Sequence, residues 1–166
     1  MKINELENAP QWLKDAHTEN ADVAIELGRV IWRGGVWRGG VWRGGVWHGG
    51  DWHGGVWRGG DWHGGVWRGG DWRGGDWHGG VWRGGVWRGG DWRGVRSTKN
   101  PVSINGLHWP VQMSDTQMAI GCQCHTFEGW GAFDDSDIAS MDRYALRFWR
   151  EHKTMLMALC ETRKVK

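Results

Sequence analysis

Between residues 31 and 94 a five-residue unit recurs thirteen times, and every copy carries tryptophan at its second position. The unit reads Val or Asp, Trp, Arg or His, then Gly-Gly, with Ile opening the first copy and a single Gly closing the last. A period of five fits neither the 3.6 residues of a helix nor the two of a simple strand, and it marks a repeat architecture. A long helix is excluded as well by the glycine pairs, each Gly costing about 1 kcal/mol relative to Ala in a helix interior. Collagen is excluded by the wrong glycine period and by the absence of proline from the repeat, the three prolines all lying outside it. What remains is a coil of short extended pieces joined at corners.

Within one piece, alternate residues face opposite ways. In Gly35-Val36-Trp37-Arg38-Gly39, residues 35 and 37 share one face and 36 and 38 the other. Turning tryptophan outward would bury Arg and His without partners, which costs several kcal/mol per ion. The expected core is therefore Trp37, Trp42, Trp47, Trp52, Trp57, Trp62, Trp67, Trp72, Trp77, Trp82 and Trp87. The second glycine of each pair is expected to take positive φ and turn the chain at each corner. A disordered low-complexity segment is the alternative, but disordered chains are poor in aromatics, whereas thirteen tryptophans here share one phase.

The spacing resembles that of the pentapeptide repeat family, in which a large apolar residue occupies the centre of the unit, a small one lies two before it, and Asp or Asn often precedes it. Trp37, Gly35 and the alternating Val36-type and Asp51-type residues take those places. The resemblance implies a mainly β chain forming a short right-handed quadrilateral β-helix, with four units and twenty residues to each coil, followed by a small C-terminal α+β region. Residues twenty apart would then stack, giving outward rows such as Ile31, Asp51, Asp71, Asp91 and Arg33, His53, Arg73, Arg93. The expected divisions are an N-terminal capping helix over 1–20, the β-helix over 21–95, and a C-terminal capping or oligomerisation region over 96–166.

Either side of the repeat, local signals are ordinary. A short helix over 8–16 has Asn8 as its candidate cap and Pro10 in its first turn. Residues 21–30 read as a degenerate partial coil, since Leu27 falls five before Trp32. Beyond Gly94, strands are expected at 102–104, 106–111 and 117–124, with Asn105-Gly106 as a hairpin turn. Helices follow, capped by Thr126, by Asp134 or Asp135, and by Asp142, the last running to about Cys160. Ile120-Gly121-Cys122, His125-Thr126, Trp130 and Phe148-Trp149 resemble the tail of uncharacterised proteins of bacterial viruses, which implies a viral accessory protein in the host cytoplasm.

Net charge is +2, but the repeat holds nine Arg against five Asp, so the coil wall is the basic part of the chain. No apolar run is long enough to span a bilayer and the first residues lack a secretory core, which points to a cytoplasmic protein. Cys122, Cys124 and His125, with His108 and Cys160, carry zinc-ligand chemistry but not the paired spacing of a zinc knuckle. No metal, cofactor or catalytic residue is assigned to this chain, and it reads as a non-enzyme. The function expected is a binding protein for a host protein or a small anionic ligand; the alternatives are a structural virion spacer and a nucleic-acid binder using the Arg/His wall. In a twenty-residue coil the positive charge is spread over several faces, which disfavours specific nucleic acid. A small anion needs only a few converging donors, for which Arg93, Arg96, His108 and Trp109 are the candidates. An apolar C-terminal helix suggests a homo-oligomer, most simply a dimer.

Overall fold

The structure is a computed structural model and describes residues 3–164. The chain divides into two compact units, Met1–Asn100 and Pro101–Lys166.

The first unit is a β-solenoid of about four turns. Each repeat contributes a two-residue strand made of the residue before the tryptophan and the tryptophan itself, as in Val56–Trp57 and Asp61–Trp62. These pair in parallel, and the register corrects the expected coil: Trp32 lies beside Trp47, Trp47 beside Trp62, and Trp62 beside Trp77. Residues fifteen apart are neighbours, so a coil is three units long and three-sided, not quadrilateral. Backbone hydrogen bonds repeat in the same step, the N–H of Arg58 donating to Trp42 O and that of Arg73 to Trp57 O, 2.9 and 2.8 Å away.

Two features of the unit favour three sides. A three-sided coil turns more sharply at each corner, and the positive φ of the second glycine of a pair permits this where a residue with a Cβ atom would be strained. At the second glycine the restriction is also steric: Gly65 has φ +95°, and a Cβ there would collide with the carbonyl oxygen of Gly50 in the coil below. Three indoles then fill the cross-section. Neighbours along the chain meet edge to face, 5.9 Å apart for Trp62 and Trp67, while indoles in successive coils stack flat, 4.9 Å apart for Trp47 and Trp62. Both are favourable aromatic geometries. All thirteen repeat tryptophans are buried, Trp87 being the most exposed at 3%.

The indole N–H groups have few conventional acceptors. Trp57 Nε1 donates to Gly74 O at 3.1 Å and Trp87 Nε1 to Ser97 O at 2.8 Å, but ten others are buried without a hydrogen bond among the described residues. Edge-to-face contact presents indole edges to ring faces, where a donor lacking an oxygen is best accommodated.

Both ends of the parallel ladder are closed by antiparallel hairpins. His17–Glu26 pairs with Arg29–Gly39 through a tight turn at Leu27 and Gly28, whose φ values are 49° and 77°. Gly90–Trp92 pairs with Val95–Ser97 through Arg93 and Gly94, at 49° and 83°. Two successive positive φ values are those of a type I′ turn. Residues 21–30 are thus hairpin and not partial coil, and Leu27 sits fully exposed at its tip. The N-terminal helix is only Gln11–Lys14, headed by Pro10, and Asn8 lies in the left-handed region without capping it. Leu13 and Trp12 pack against the tryptophan core, Trp12 edge-on to Trp42 at 5.2 Å, so this short element covers the open end of the stack.

The second unit is an antiparallel four-stranded sheet, in spatial order Val102–Ile104, Val111–Met113, Gln117–Ile120 and Gln123–Thr126, followed by three helices. Asn105-Gly106 begins a six-residue loop over 105–110 in place of a two-residue turn. The strand expected over 117–124 is two strands, with a turn at Gly121 and Cys122. Thr126 caps Phe127–Ala132 by accepting from Gly129 N, and Asp134 and Asp137 form a reciprocal capping box on Asp135–Met141. The last helix, Ala145–Arg163, begins after Tyr144 and is not side-chain capped, Asp142 accepting instead from Tyr144 N. It turns Phe148, Trp149, Leu156 and Cys160 into a core with Met118, Ile120 and Trp130. Trp130 Nε1 donates to Met118 O at 2.7 Å within that core. No helix among the described residues is long and apolar enough to cross a membrane.

Candidate anion-binding face

Because each strand is the residue before Trp plus Trp, the residue after Trp leaves the ladder pointing outward at a fixed place on its side. The fifteen-residue register therefore sorts the Arg and His positions into three vertical columns. On the first side, Trp32, Trp47, Trp62, Trp77 and Trp92 are followed by Arg33, His48, His63, His78 and Arg93. On the second, Trp37, Trp52, Trp67 and Trp82 are followed by Arg38, His53, Arg68 and Arg83. On the third, Trp42, Trp57, Trp72 and Trp87 are followed by Arg43, Arg58, Arg73 and Arg88.

Outward residues ahead of Trp obey the same sorting. Asp61, Asp76 and Asp91 fall on the first side, Asp51 on the second and Asp71 on the third. The rows expected from a twenty-residue coil, which stack Asp51, Asp71 and Asp91 beside Arg33, His53, Arg73 and Arg93, are replaced by rows in steps of fifteen. Counting repeat residues alone, the first side has two Arg against three Asp, the second three against one, and the third four against one. The third side carries the largest excess, as an unbroken column of four arginines.

Along that stripe, adjacent guanidinium-bearing residues are separated by the strand spacing of about 4.8 Å, so four arginines span roughly 14 Å. Asp71 takes up part of the charge, lying 3.4 Å from Arg73 and 3.5 Å from Arg88. Arg43 and Arg58 make no ion pair among the described residues and are exposed. Beside them, Val41, Val56 and Val86 supply an apolar margin, Val86 being exposed. On the second side the cations are more fully answered. Arg68 pairs with Asp51 at 3.0 Å, and Arg38 makes a two-pronged contact with Glu19 of the entry hairpin at 2.8 and 2.9 Å. The hydrogen bond from Arg38 holds the Glu19 carboxyl below its ordinary pKa.

Of the candidate ligand residues, Arg93 and Arg96 belong to the first unit and His108 and Trp109 to the second. Arg93 sits in the exit turn, and Arg96 stands opposite Asp91 across the exit hairpin. His108 and Trp109 lie in the 105–110 loop, their rings edge to face at 4.4 Å, with His108 also 5.5 Å from Tyr144. Cys122 is exposed in its turn, Cys124 is half-buried, and His125 Nε2 lies 3.1 Å from Gln123 Oε1 with its ring against Trp130 and Phe133. The arginine stripe is hidden in the sequence because steps of twenty place its members, which are fifteen apart, on different sides.

Compared with known proteins, the chain matches no protein-family model, no curated protein and no solved structure.

Proposed function

We propose that this is a non-catalytic binding protein that grips the phosphate backbone of a nucleic acid through the stripe Arg43, Arg58, Arg73, Arg88. The observation that carries the reading is the fifteen-residue register, which aligns these four side chains on one side with a single carboxylate among them. Arginine suits phosphate through its planar fork of donors. A straight stripe matches an extended polyanion better than a small ligand, which needs a concave pocket. Recognition would be independent of base sequence, because phosphate contacts position a nucleic acid without reading it. The five-residue spacing supports kinship with pentapeptide repeat proteins, and the C-terminal resemblance supports a viral accessory protein working in a bacterial host's cytoplasm.

The test is fluorescence anisotropy with a labelled duplex at 50 and 200 mM salt. Engaging three to four phosphates should lower affinity roughly 40- to 150-fold over that range. Replacing all four arginines by Gln should abolish most of the salt dependence, whereas Arg33→Gln with Arg93→Gln on the first side should leave it nearly intact. Absence of binding at 50 mM, or equal effects of the two sets, would overturn the reading.

A further inference from the structure

The first side of the solenoid carries a different chemistry. His48, His63 and His78 form a column of stacked imidazoles, with ring centroids 5.3 Å apart for the first pair and 4.6 Å for the second. Alongside runs a column of carboxylates in which Asp61 and Asp76 are direct neighbours in parallel register. One oxygen of Asp61, Oδ2, is held by Arg29 at 3.2 Å, which leaves Oδ1 toward His78 Nε2 at 4.0 Å. The Asp76 carboxylate makes no hydrogen bond or ion pair among the described residues, its backbone N–H alone donating, to Gly60 O at 2.9 Å. One ligand atom from each of Asp61, Asp76 and His78 lies within 4.8 Å of the other two.

We propose that Asp61, Asp76 and His78 form a binding site for one divalent transition-metal ion of the zinc class. The donor set points to that class: an imidazole with two carboxylates suits zinc and its neighbours, whereas calcium and magnesium prefer six or more oxygens. Bonds of about 2.0–2.2 Å in tetrahedral array put ligand atoms roughly 3.4 Å apart. The three groups must therefore close by about 1 Å, which part-exposed side chains achieve by small rotations. Two like charges placed side by side on adjacent strands repel. A dication removes that repulsion and is neutralised by the same pair. Arg29 orients the Asp61 carboxylate from behind, and the His63 ring, flat against His78, restricts how the ligating imidazole can turn. Such supporting contacts are what fix metal ligands in place. Water takes the fourth position.

The site is independent of the arginine stripe, which lies on another side of the coil. The experiment is calorimetric titration of the full chain with Zn2+, repeated with Co2+ to read the ligand-field absorption of a bound ion. One ion per chain is expected, with tetrahedral cobalt intensity. His78→Ala and Asp76→Asn, both on the exterior of the coil, should each weaken binding at least tenfold, while His53→Ala on the second side should change it less than twofold. Because thiols also bind zinc, the titration is repeated in Cys122→Ser/Cys124→Ser, where binding should persist. Circular dichroism of each variant reports whether the solenoid is intact. Absence of a stoichiometric site, loss of binding in the cysteine variant, or undiminished binding in folded His78→Ala would each overturn the proposal.

Discussion

The indole of Trp62 lies flat on that of Trp47, ring centroids 4.9 Å apart and planes within 8°, while it meets Trp67 edge to face at 5.9 Å. Every mid-solenoid tryptophan is held in this way from four directions, with ring partners five and fifteen residues away on either side. Truncating one removes contacts in three coils and leaves a cavity that the close-packed neighbours cannot fill. Trp62→Ala should therefore cost about 3–5 kcal/mol by denaturant unfolding. Arg83→Ala, on the exposed wall with no ion pair among the described residues, should cost under about 0.5 kcal/mol. Similar small losses at both positions would refute the inward stack.

The two glycines of a unit carry unequal constraints. Gly65→Ala would place a Cβ against the Gly50 carbonyl and demand φ near +95° of a residue with a side chain. Strain of this kind costs on the order of 1–3 kcal/mol before the collision is counted. Gly59, the first of its pair, has ordinary φ, and a methyl group added there would meet no atom within 4 Å. Gly59→Ala should be neutral or stabilising by up to about 1 kcal/mol, through the reduced entropy of the unfolded chain. Thermal melts of the two single variants decide the matter, and the same rank order should hold at Gly74 and Gly80.

The length of the coil has its own chemical readout. Outward residues on adjacent parallel strands have Cα atoms about 4.8 Å apart, within the range a disulfide spans. In a Cys122→Ser/Cys124→Ser background, Arg68→Cys with Arg83→Cys, fifteen apart, should cross-link under mild oxidation. Arg68→Cys with Arg88→Cys, twenty apart, should not, because these residues lie on different sides. The opposite result would restore a four-unit coil.

How much of this was legible follows from where each feature is encoded. The inward tryptophans and the turning glycines are properties of a single unit, so alternation and backbone sterics expose them directly. The number of units per coil is a property of how units meet, set by corner sharpness and by how indoles pack in three dimensions, and five-residue periodicity is silent on both. That single integer decides which charges share a side, which is why both the arginine stripe and the Asp61, Asp76, His78 cluster escaped a reading based on steps of twenty. The entry hairpin is hidden in the sequence because Leu27 keeps the phase of the repeat, yet with Gly28 it takes the two positive φ values of a turn and leaves its side chain exposed. In the second unit, the Thr126 and Asp134 caps are local and were readable, whereas the pairing of 102–104 with 111–113 across six residues depends on the burial of Val111 and Met113. On Ala145–Arg163, Phe148, Trp149 and Leu156 are buried within their own unit, while Met155 stays exposed.

Cys160 offers a probe of that second core through pH. Burial pushes its thiol up from the ordinary range to about 11, with Glu161 adding to the effect and Lys164 and Arg163 opposing it. The folded state thus binds a proton that the unfolded state releases near pH 9. Since the folded form holds more protons in this window, unfolding becomes easier as pH rises, and the stability contributed by the neutral thiol is present below pH 9 and lost progressively toward about 11. Unfolding of the second unit, followed by its near-ultraviolet circular dichroism against the larger solenoid signal, should therefore weaken between those values. Cys160→Ala should flatten the dependence at the expense of a small cavity, and the difference between the two proteins cancels the lysine and tyrosine titrations common to both. Alkylation gives the same information at neutral pH: Cys122, exposed in its turn, should react rapidly, and Cys160 only at the rate of unfolding, because the thiolate is the reactive species and burial suppresses both its formation and its access. Modification of Cys160 as fast as Cys122 in the folded protein would show that the helix Ala145–Arg163 does not pack its Cys160 side inward.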